Sequence, residues 1–81
     1  MRRAPLLAEK LANVLRQEIA KGRFKAGEKL PTEREMSETY GVSRVTVRDA
    51  LGRLKHDGIV LSRQGSGAFV AKESAPTLRL H

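Results

Sequence analysis

Two predicted helices joined by a glycine-containing turn constrain the fold of this 81-residue chain more than any other feature. Thr32 and Glu35 have the Thr-x-x-Glu spacing of a capping box, which predicts a helix that starts directly after Thr32. Gly41 is a natural stop for that short helix. Ser43 is a favourable N-cap residue and predicts a further helix over 44–56. The chain must therefore hold two helices close together around a short turn.

The residues of this segment also suit a helix-turn-helix unit, in which the second helix enters the major groove of DNA. Ser37 supplies the small side chain that is required where the helices nearly touch, and Gly41 turns the chain. The residues expected to lock the angle between the helices are Met36, Tyr40, Val42, Val47 and Ala50. The same pattern is compatible with two ordinary core helices, and the distribution of charge separates the two interpretations.

Positive charge is concentrated on the second of these helices and on the segment after it. The chain has sixteen Lys and Arg against nine Asp and Glu, a net charge of +7. Residues 33–40 contain one cation and three carboxylates, whereas residues 43–64 contain five cations and two carboxylates. Small basic domains typically bind a polyanion. We therefore predict that the second helix and the following segment face that polyanion.

The first turn of the second helix carries groups that can read a DNA major groove. Helical residues are about 100° apart, so with Val47 in the core the other residues of this turn are expected to face solvent. They offer two guanidinium groups for guanine, an apolar tip for a thymine methyl group and a hydroxyl for a base or a phosphate. Free amide groups at the start of the helix also favour phosphate. The predicted contacts in this turn are Arg44, Val45, Thr46 and Arg48.

A longer amphipathic helix precedes this unit and is predicted to begin at Leu7 and to end near Gly22. Residues 1–6, with two arginines and a proline, are predicted to form a flexible basic arm. Lys29 and Leu30 can form a single rung of strand before the next helix. The predicted buried face of the long helix contains Leu7, Leu11, Val14, Leu15 and Ile19.

After the last helix the pattern changes to alternation, which predicts a β-hairpin with strands over 59–63 and 68–71 and a turn over 64–67. A lone hairpin is marginally stable, so this one must pack on the helices. Its tip offers a cation, an amide and closely approaching backbone to a minor groove or a phosphate; a turn without function is the alternative. The predicted tip contacts are Arg63, Gln64, Gly65, Ser66 and Gly67. The fold class is α+β, with three helices followed by a two-stranded hairpin.

The residue types present exclude several functions. The chain has no cysteine, which excludes disulfides, Cys-ligated zinc and thiol catalysis. His56 and His81 lack partners at a spacing typical of a catalytic base, so we predict no enzyme activity, no cofactor and no metal. Stacking on single strands would need more aromatic residues than Phe24, Tyr40 and Phe69. No apolar stretch approaches the roughly 20 residues that cross a bilayer, and we expect a cytoplasmic protein without a membrane partner.

Two stretches resemble the N-terminal domain of the GntR family of bacterial transcription regulators. The first is 24–35, Phe-Lys-Ala-Gly-Glu-Lys-Leu-Pro-Thr-Glu-Arg-Glu, and the second is 41–51, Gly-Val-Ser-Arg-Val-Thr-Val-Arg-Asp-Ala-Leu. Leu54, Asp57-Gly58 and the segment 63–70 follow in the same order and at the same spacing as in the family. The resemblance covers residues 7–71, which is nearly the whole of the predicted domain.

This resemblance implies a winged helix-turn-helix, with the hairpin as its wing, that binds double-stranded operator DNA as a homodimer. Two-fold symmetry of the protein would make the operator a near-palindrome. Two residues depart from the family pattern: Asp49 stands where glutamate is usual and Ala68 where threonine is frequent. A winged-helix module for protein or RNA binding is the alternative. The DNA contacts implied by the resemblance are Arg34, Ser43, Arg44, Thr46, Arg48, Gln64 and Gly65.

Regulators of this family also have a C-terminal domain that binds a metabolite and dimerises. Residues 72–81 are expected to be a linker towards such a domain, for which this chain has no sequence. We therefore expect the DNA-reading head of a metabolite-responsive repressor, with any small-molecule effector acting through the absent domain. The wing and the short linker most resemble the FadR-type branch, and residues 45–48 also suit the HutC-type branch.

Overall fold

The computed structural model describes residues 3–63 and 65–71, with side chains from Leu6 onward. The described residues form three helices followed by a two-stranded antiparallel sheet, which confirms the predicted winged helix-turn-helix of the α+β class. The elements are α1 (Arg3–Ala20), α2 (Glu33–Tyr40), α3 (Arg44–His56), β1 (Val60–Arg63) and β2 (Gly67–Val70).

Helix α1 differs from its prediction at its start and in its buried face. It begins at Arg3, so most of the predicted arm is helical. Pro5 lies in the first turn, where a backbone N–H has no acceptor within the helix. Leu7 and Val14 are each 41% exposed, whereas the side of α1 that carries Ala8 and Ala12 is buried. The prediction gave most weight to large apolar residues, whereas small alanine side chains occupy part of the buried face of α1.

The turn between α2 and α3 forms as predicted. The Thr32 hydroxyl accepts a hydrogen bond from the Glu35 amide at 3.1 Å, and the Glu35 carboxylate accepts one from the Thr32 amide at 2.9 Å. Gly41 ends α2 with a left-handed φ of 68°, and its amide donates to the carbonyl of Ser37. Residues with a Cβ rarely adopt this φ, so glycine is needed where the chain turns. Ser43 caps α3 through the amide of Thr46.

The hairpin is anchored to the helical part by a third short segment. Strands β1 and β2 pair with Val60 opposite Val70 and with Ser62 opposite Ala68. Lys29 forms an antiparallel bridge to Phe69, and the Leu30 amide donates to the Ala68 carbonyl at 2.8 Å. The predicted rung of strand is therefore confirmed, and it fixes the wing against the segment that leads into α2.

One apolar core joins all of these elements. Helix α3 lies at its centre, because α1, α2 and β1 all pack against it. Leu15, Val47 and Leu54 have no exposed surface. None of the helices in the described part of the chain has the length and apolar character required to span a bilayer. The core residues are Leu11, Ala12, Leu15, Leu30, Met36, Val47, Ala50, Leu51, Leu54, Val60 and Val70.

Candidate nucleic-acid interface

The first turn of α3 presents three of its predicted contact residues to solvent. Arg44 and, one turn later, Arg48 are exposed on neighbouring positions of the helix surface, and Val45 beside them is 59% exposed. Ser43, the N-cap, is exposed as well. An exposed valine is unfavourable in water, whereas beside a thymine methyl group its apolar surface is buried. This turn thus keeps the chemical groups that the sequence indicated, with one exception.

Thr46 is the exception, because it is only 3% exposed. Its amide donates to the Ser43 hydroxyl at 3.1 Å, and the Ser43 hydroxyl donates to the Thr46 hydroxyl at 3.0 Å. The expectation of an exposed threonine hydroxyl was therefore wrong. The Thr46 hydroxyl instead bonds to Ser43, within the cap of α3.

Arg48 forms a two-point ion pair with Glu33 at the start of α2. Its Nε donates to Glu33 Oε2 and its Nη2 to Glu33 Oε1, each at 3.1 Å. These hydrogen bonds, with smaller contributions from the charges of Arg48, Arg44 and Lys55, hold the pKa of Glu33 below its ordinary value, against the opposing effect of burial. The same hydrogen bonds raise the pKa of Arg48. The sequence did not indicate Glu33 as part of the site, because the pair joins residues on two different helices.

Arg34, the contact inferred from the family resemblance, extends from the exposed side of α2. Its side chain is 72% exposed, and its Nε lies 3.6 Å from a carboxylate oxygen of Glu38 one turn later. An exposed pair of this kind contributes little to stability and can exchange partners readily. Arg34 is therefore available to a phosphate that approaches α2.

A basic cleft lies between α3, the start of α2 and the wing. Five cationic side chains and one carboxylate, that of Glu33, line it among the described residues. Lys29 and Lys55 belong to this set and were not predicted. Lys55 follows Arg44 and Arg48 at helical spacing, so the wheel could have identified it, whereas Lys29 reaches the cleft only through its bridge to β2. The cationic side chains are those of Lys29, Arg34, Arg44, Arg48 and Lys55.

The described part of the wing tip, Gly65, Ser66 and Gly67, is exposed, and Ser66 and Gly67 line the basic cleft. Gly67 has a φ of 107°, and a Cβ at this position would lie 3.2 Å from Cε of Lys29. A residue other than glycine would thus be strained and would crowd a cationic side chain of the cleft. Gln64, predicted as a contact, lies outside the described residues.

Arg63, predicted as a contact at the wing tip, does not line the basic cleft. Because side chains alternate along β1, Ser62 faces the cleft and Arg63 faces the outer side of the wing. Its guanidinium carbon lies 5.2 Å from the centre of the Phe69 ring, a cation–π contact. The register of the hairpin decides this orientation, and the sequence alone left it open.

Among residues 3–63 and 65–71, no group of three or more His, Asp or Glu side chains is placed to hold a metal ion. The exposed arginines, the valine tip and the cleft can instead bind a long polyanion with a regular array of charges.

Residues 7–70 match the family of bacterial regulatory proteins named gntR. The chain is 46% identical over 67 residues to the Escherichia coli mannosyl-D-glycerate transport/metabolism system repressor MngR, covering 83% of this chain and 28% of that protein. It is 43% identical over 63 residues to the Haemophilus influenzae Uxu operon regulator, covering 78% and 24%. These relatives are transcription regulators and not enzymes, and the chain spans about a quarter of their length.

Two solved structures have the same fold. AraR(DBD) in complex with operator ORR3 superimposes with a TM-score of 0.77 at 37% identity, covering 80% of this chain and 78% of that one. YtrA from Sulfolobus acidocaldarius, a GntR-family transcription factor, gives 0.75 at 32% identity, covering 82% and 69%. With the matched family spanning α1 to β2 and the fold shared, the chain belongs to the GntR family of bacterial regulatory proteins.

Proposed function

We propose that this chain is the DNA-reading domain of a transcription repressor and that it inserts the first turn of α3 into the major groove of an operator. The observation that carries the proposal is the exposed Arg44–Val45–Arg48 surface at the edge of the basic cleft. The operator in the AraR(DBD) complex and the repressor names of the relatives support it. Membership of the FadR-type branch rather than the HutC-type branch stays a prediction.

The side chains divide the work according to their surroundings. Arg44 and Arg48 read base edges by hydrogen bonds, and Val45 packs on a thymine methyl group. Arg34 and the described wing-tip residues 65–67 bind the phosphate backbone and set the register of the domain on the duplex. Lys29 and Lys55 contribute further phosphate contacts from the cleft. Neither Thr46 nor Arg63 is assigned to base reading, since one is buried and the other faces away.

The assembly on DNA follows from the way such domains read symmetric sites. Two copies bind two half-sites, one first turn of α3 in each major groove, so that the operator is a near-palindrome. The matched segment makes up 28% of one relative and 24% of the other. We assign metabolite binding and stable dimerisation to a further domain of the kind that their additional length contains, and place the protein that carries this chain in the cytoplasm.

Selection from a random duplex library tests the proposal. Repeated rounds of binding should enrich a near-palindromic sequence, and fluorescence anisotropy should show tighter binding to it than to a scrambled duplex by about a thousandfold or more. Single-stranded DNA and duplex RNA of the same sequence are the comparisons. If no sequence is enriched, or if single-stranded DNA or duplex RNA binds more tightly than duplex DNA, the proposal is contradicted. Such a result would favour the RNA-binding or protein-binding alternative.

A further inference from the structure

The geometry of the Arg48–Glu33 pair defines which side of the guanidinium remains available. Glu33 occupies the edge formed by Nε and Nη2, with both donor–acceptor distances at 3.1 Å. A guanidinium has five N–H donors in a rigid plane. One hydrogen on Nη2 and both on Nη1 therefore remain free, and the edge between Nη1 and Nη2 points away from the carboxylate. That edge has the two parallel donors that match O6 and N7 of guanine.

Glu33 is itself held firmly in place. It is the first residue of α2, directly after the Thr32 cap, and the capping box with Glu35 fixes the backbone there. Its side chain is 35% exposed, whereas that of Arg48 is 64% exposed. The carboxylate is thus the less exposed member of the pair, and the guanidinium extends further into solvent.

The pair also changes how Arg48 responds to phosphate. An unpaired arginine beside Arg44 and Lys55 would be attracted to any phosphate near the cleft, whatever the base sequence. Glu33 offsets one charge of this cluster and fixes the plane of the guanidinium. Both effects weaken attraction to the DNA backbone and favour an acceptor pair in one defined orientation.

We infer that Glu33 is a positioning residue that makes Arg48 a selective reader of guanine, by occupying its Nε–Nη2 edge and presenting the Nη1–Nη2 edge to the base. The inference rests on the proposed DNA-reading function and adds a residue that acts through another. Glu33 need not touch DNA itself. Its loss therefore has two opposite effects: random DNA binds more tightly, and the preference for the selected sequence decreases.

The test compares Glu33→Gln with the unchanged chain on the selected duplex and on a scrambled duplex. Glutamine keeps the size of the side chain but can accept only at its single amide oxygen, so the two-point hold is lost. We expect binding to the scrambled duplex to strengthen by about twofold to fivefold, because one carboxylate near the phosphates is removed. The ratio of selected to scrambled affinity should fall by about tenfold.

Two further variants separate charge from position. Glu18→Gln removes a carboxylate that also pairs with an arginine, Arg23, but lies on α1. This variant should change the affinity for both duplexes by the same factor. Glu33→Asp keeps the charge and shortens the reach, so it should lower the selectivity without tightening binding to scrambled DNA. Circular dichroism on heating verifies that each variant is folded.

The decisive readout is positional. Replacing each base pair of the selected duplex in turn should show that Arg48→Ala and Glu33→Gln lose discrimination at the same guanine. In the Arg48→Ala background, Glu33→Gln should then have no further effect on selectivity. Unchanged selectivity in Glu33→Gln, or a loss spread over all positions, would overturn the inference. If the unchanged chain selects no duplex at all, the proposed function fails instead.

Discussion

The rest of the protein holds the two arginines at the start of α3 to different degrees. Arg48 is held by Glu33 through two hydrogen bonds, whereas Arg44 lies one turn earlier at the edge of the basic cleft. A held guanidinium loses little freedom when it binds, since its orientation is already set. At the scale of single residues, specificity thus depends on a few groups whose neighbours fix their geometry.

Arg44→Ala should weaken binding to the selected duplex by about tenfold and relax the preference at one base pair, if Arg44 reads a base. Fluorescence anisotropy on selected and scrambled duplexes measures both effects. Arg53→Ala is the matched control, because it removes the same charge from α3 at a residue that lines the groove between α1 and α3. Equal losses on the two duplexes would instead assign Arg44 to a phosphate.

The Glu33 ion pair should also make stability depend on acid. Because the pKa of Glu33 in the folded chain lies below its ordinary value of 4.5, the unfolded chain binds the proton first. The stabilisation by the ion pair is therefore complete above the ordinary pKa and is lost as the pH falls through the lower pKa of Glu33 in the folded chain. Urea unfolding at a series of pH values should show this decrease, and Glu33→Gln should make it shallower. An identical pH dependence in the variant would show that the pair contributes no stability.

Two glycines show how elements begin, end and turn. Gly41 ends α2 with a left-handed backbone, whereas Gly52 lies within α3, and an added Cβ at either position meets nothing within 4 Å. The space around the two sites is thus equivalent, and only the backbone conformation differs. At the scale of elements, a Gly→Ala substitution is therefore expected to destabilise where the backbone would be strained and to stabilise where helix propensity decides.

Gly41→Ala should lower the free energy of unfolding by about 1–2 kcal/mol, because alanine is strained at positive φ. Gly52→Ala should raise it by up to about 1 kcal/mol, because alanine is the better helix former. Thermal unfolding followed by circular dichroism measures both changes, which should have opposite signs. Destabilisation by both would indicate that Gly52 is needed for packing rather than tolerated in the helix.

At the scale of the whole molecule, one core must hold three separate parts of the interface. The turn of α3, the start of α2 and the wing all depend on side chains that meet around α3. Leu54 has no exposed surface, whereas Leu61, on the outer side of the wing, is 49% exposed. Damage to the core should therefore affect the interface as a unit.

Leu54→Ala should reduce the free energy of unfolding by about 2–5 kcal/mol, since it removes buried methyl groups and leaves a cavity. Leu61→Ala is the control on the same residue type, with an expected change of about 1 kcal/mol or less. Urea titration of both variants gives the comparison. Similar losses would mean that the wing surface contributes as much as the centre of the core.

The net charge of +7 should act through the cleft rather than evenly. DNA affinity should fall as salt rises, by about 0.9 log units per log unit of salt for each phosphate that is neutralised. Lys55→Ala should reduce this slope by about one on selected and scrambled duplexes alike. Lys10→Ala, on the exposed side of α1, removes the same charge and should change the slope less. A slope equally reduced by both variants would argue against a defined path for the phosphates.

Local signals in the sequence predicted much of this architecture correctly. The capping box at Thr32, the left-handed Gly41 and the N-cap at Ser43 each depend on residues within about one helical turn of each other. Such short-range signals can be recognised without knowledge of the tertiary structure. The single rung at Lys29 was also predicted, but its partner, Phe69, was not, because the bridge joins segments far apart in the chain.

The errors share a different cause. The burial of Thr46 and the exposure of Leu7 depend on which side of a helix packs on the core, and the direction of Arg63, which the sequence left open, depends on the register of the hairpin. The Glu33–Arg48 pair joins residues fifteen positions apart. None of these features can be read from a local pattern of residues.

The sequence by itself determined the type and order of the elements, the family and the concentration of positive charge on α3, because capping, periodicity and charge act between residues near each other in the chain. The tertiary structure decided which of those charges are held, which face the cleft and which side of α1 is buried. These outcomes depend on packing between elements, where a rotation of one helix or a shift of one strand position moves a side chain from the core to solvent.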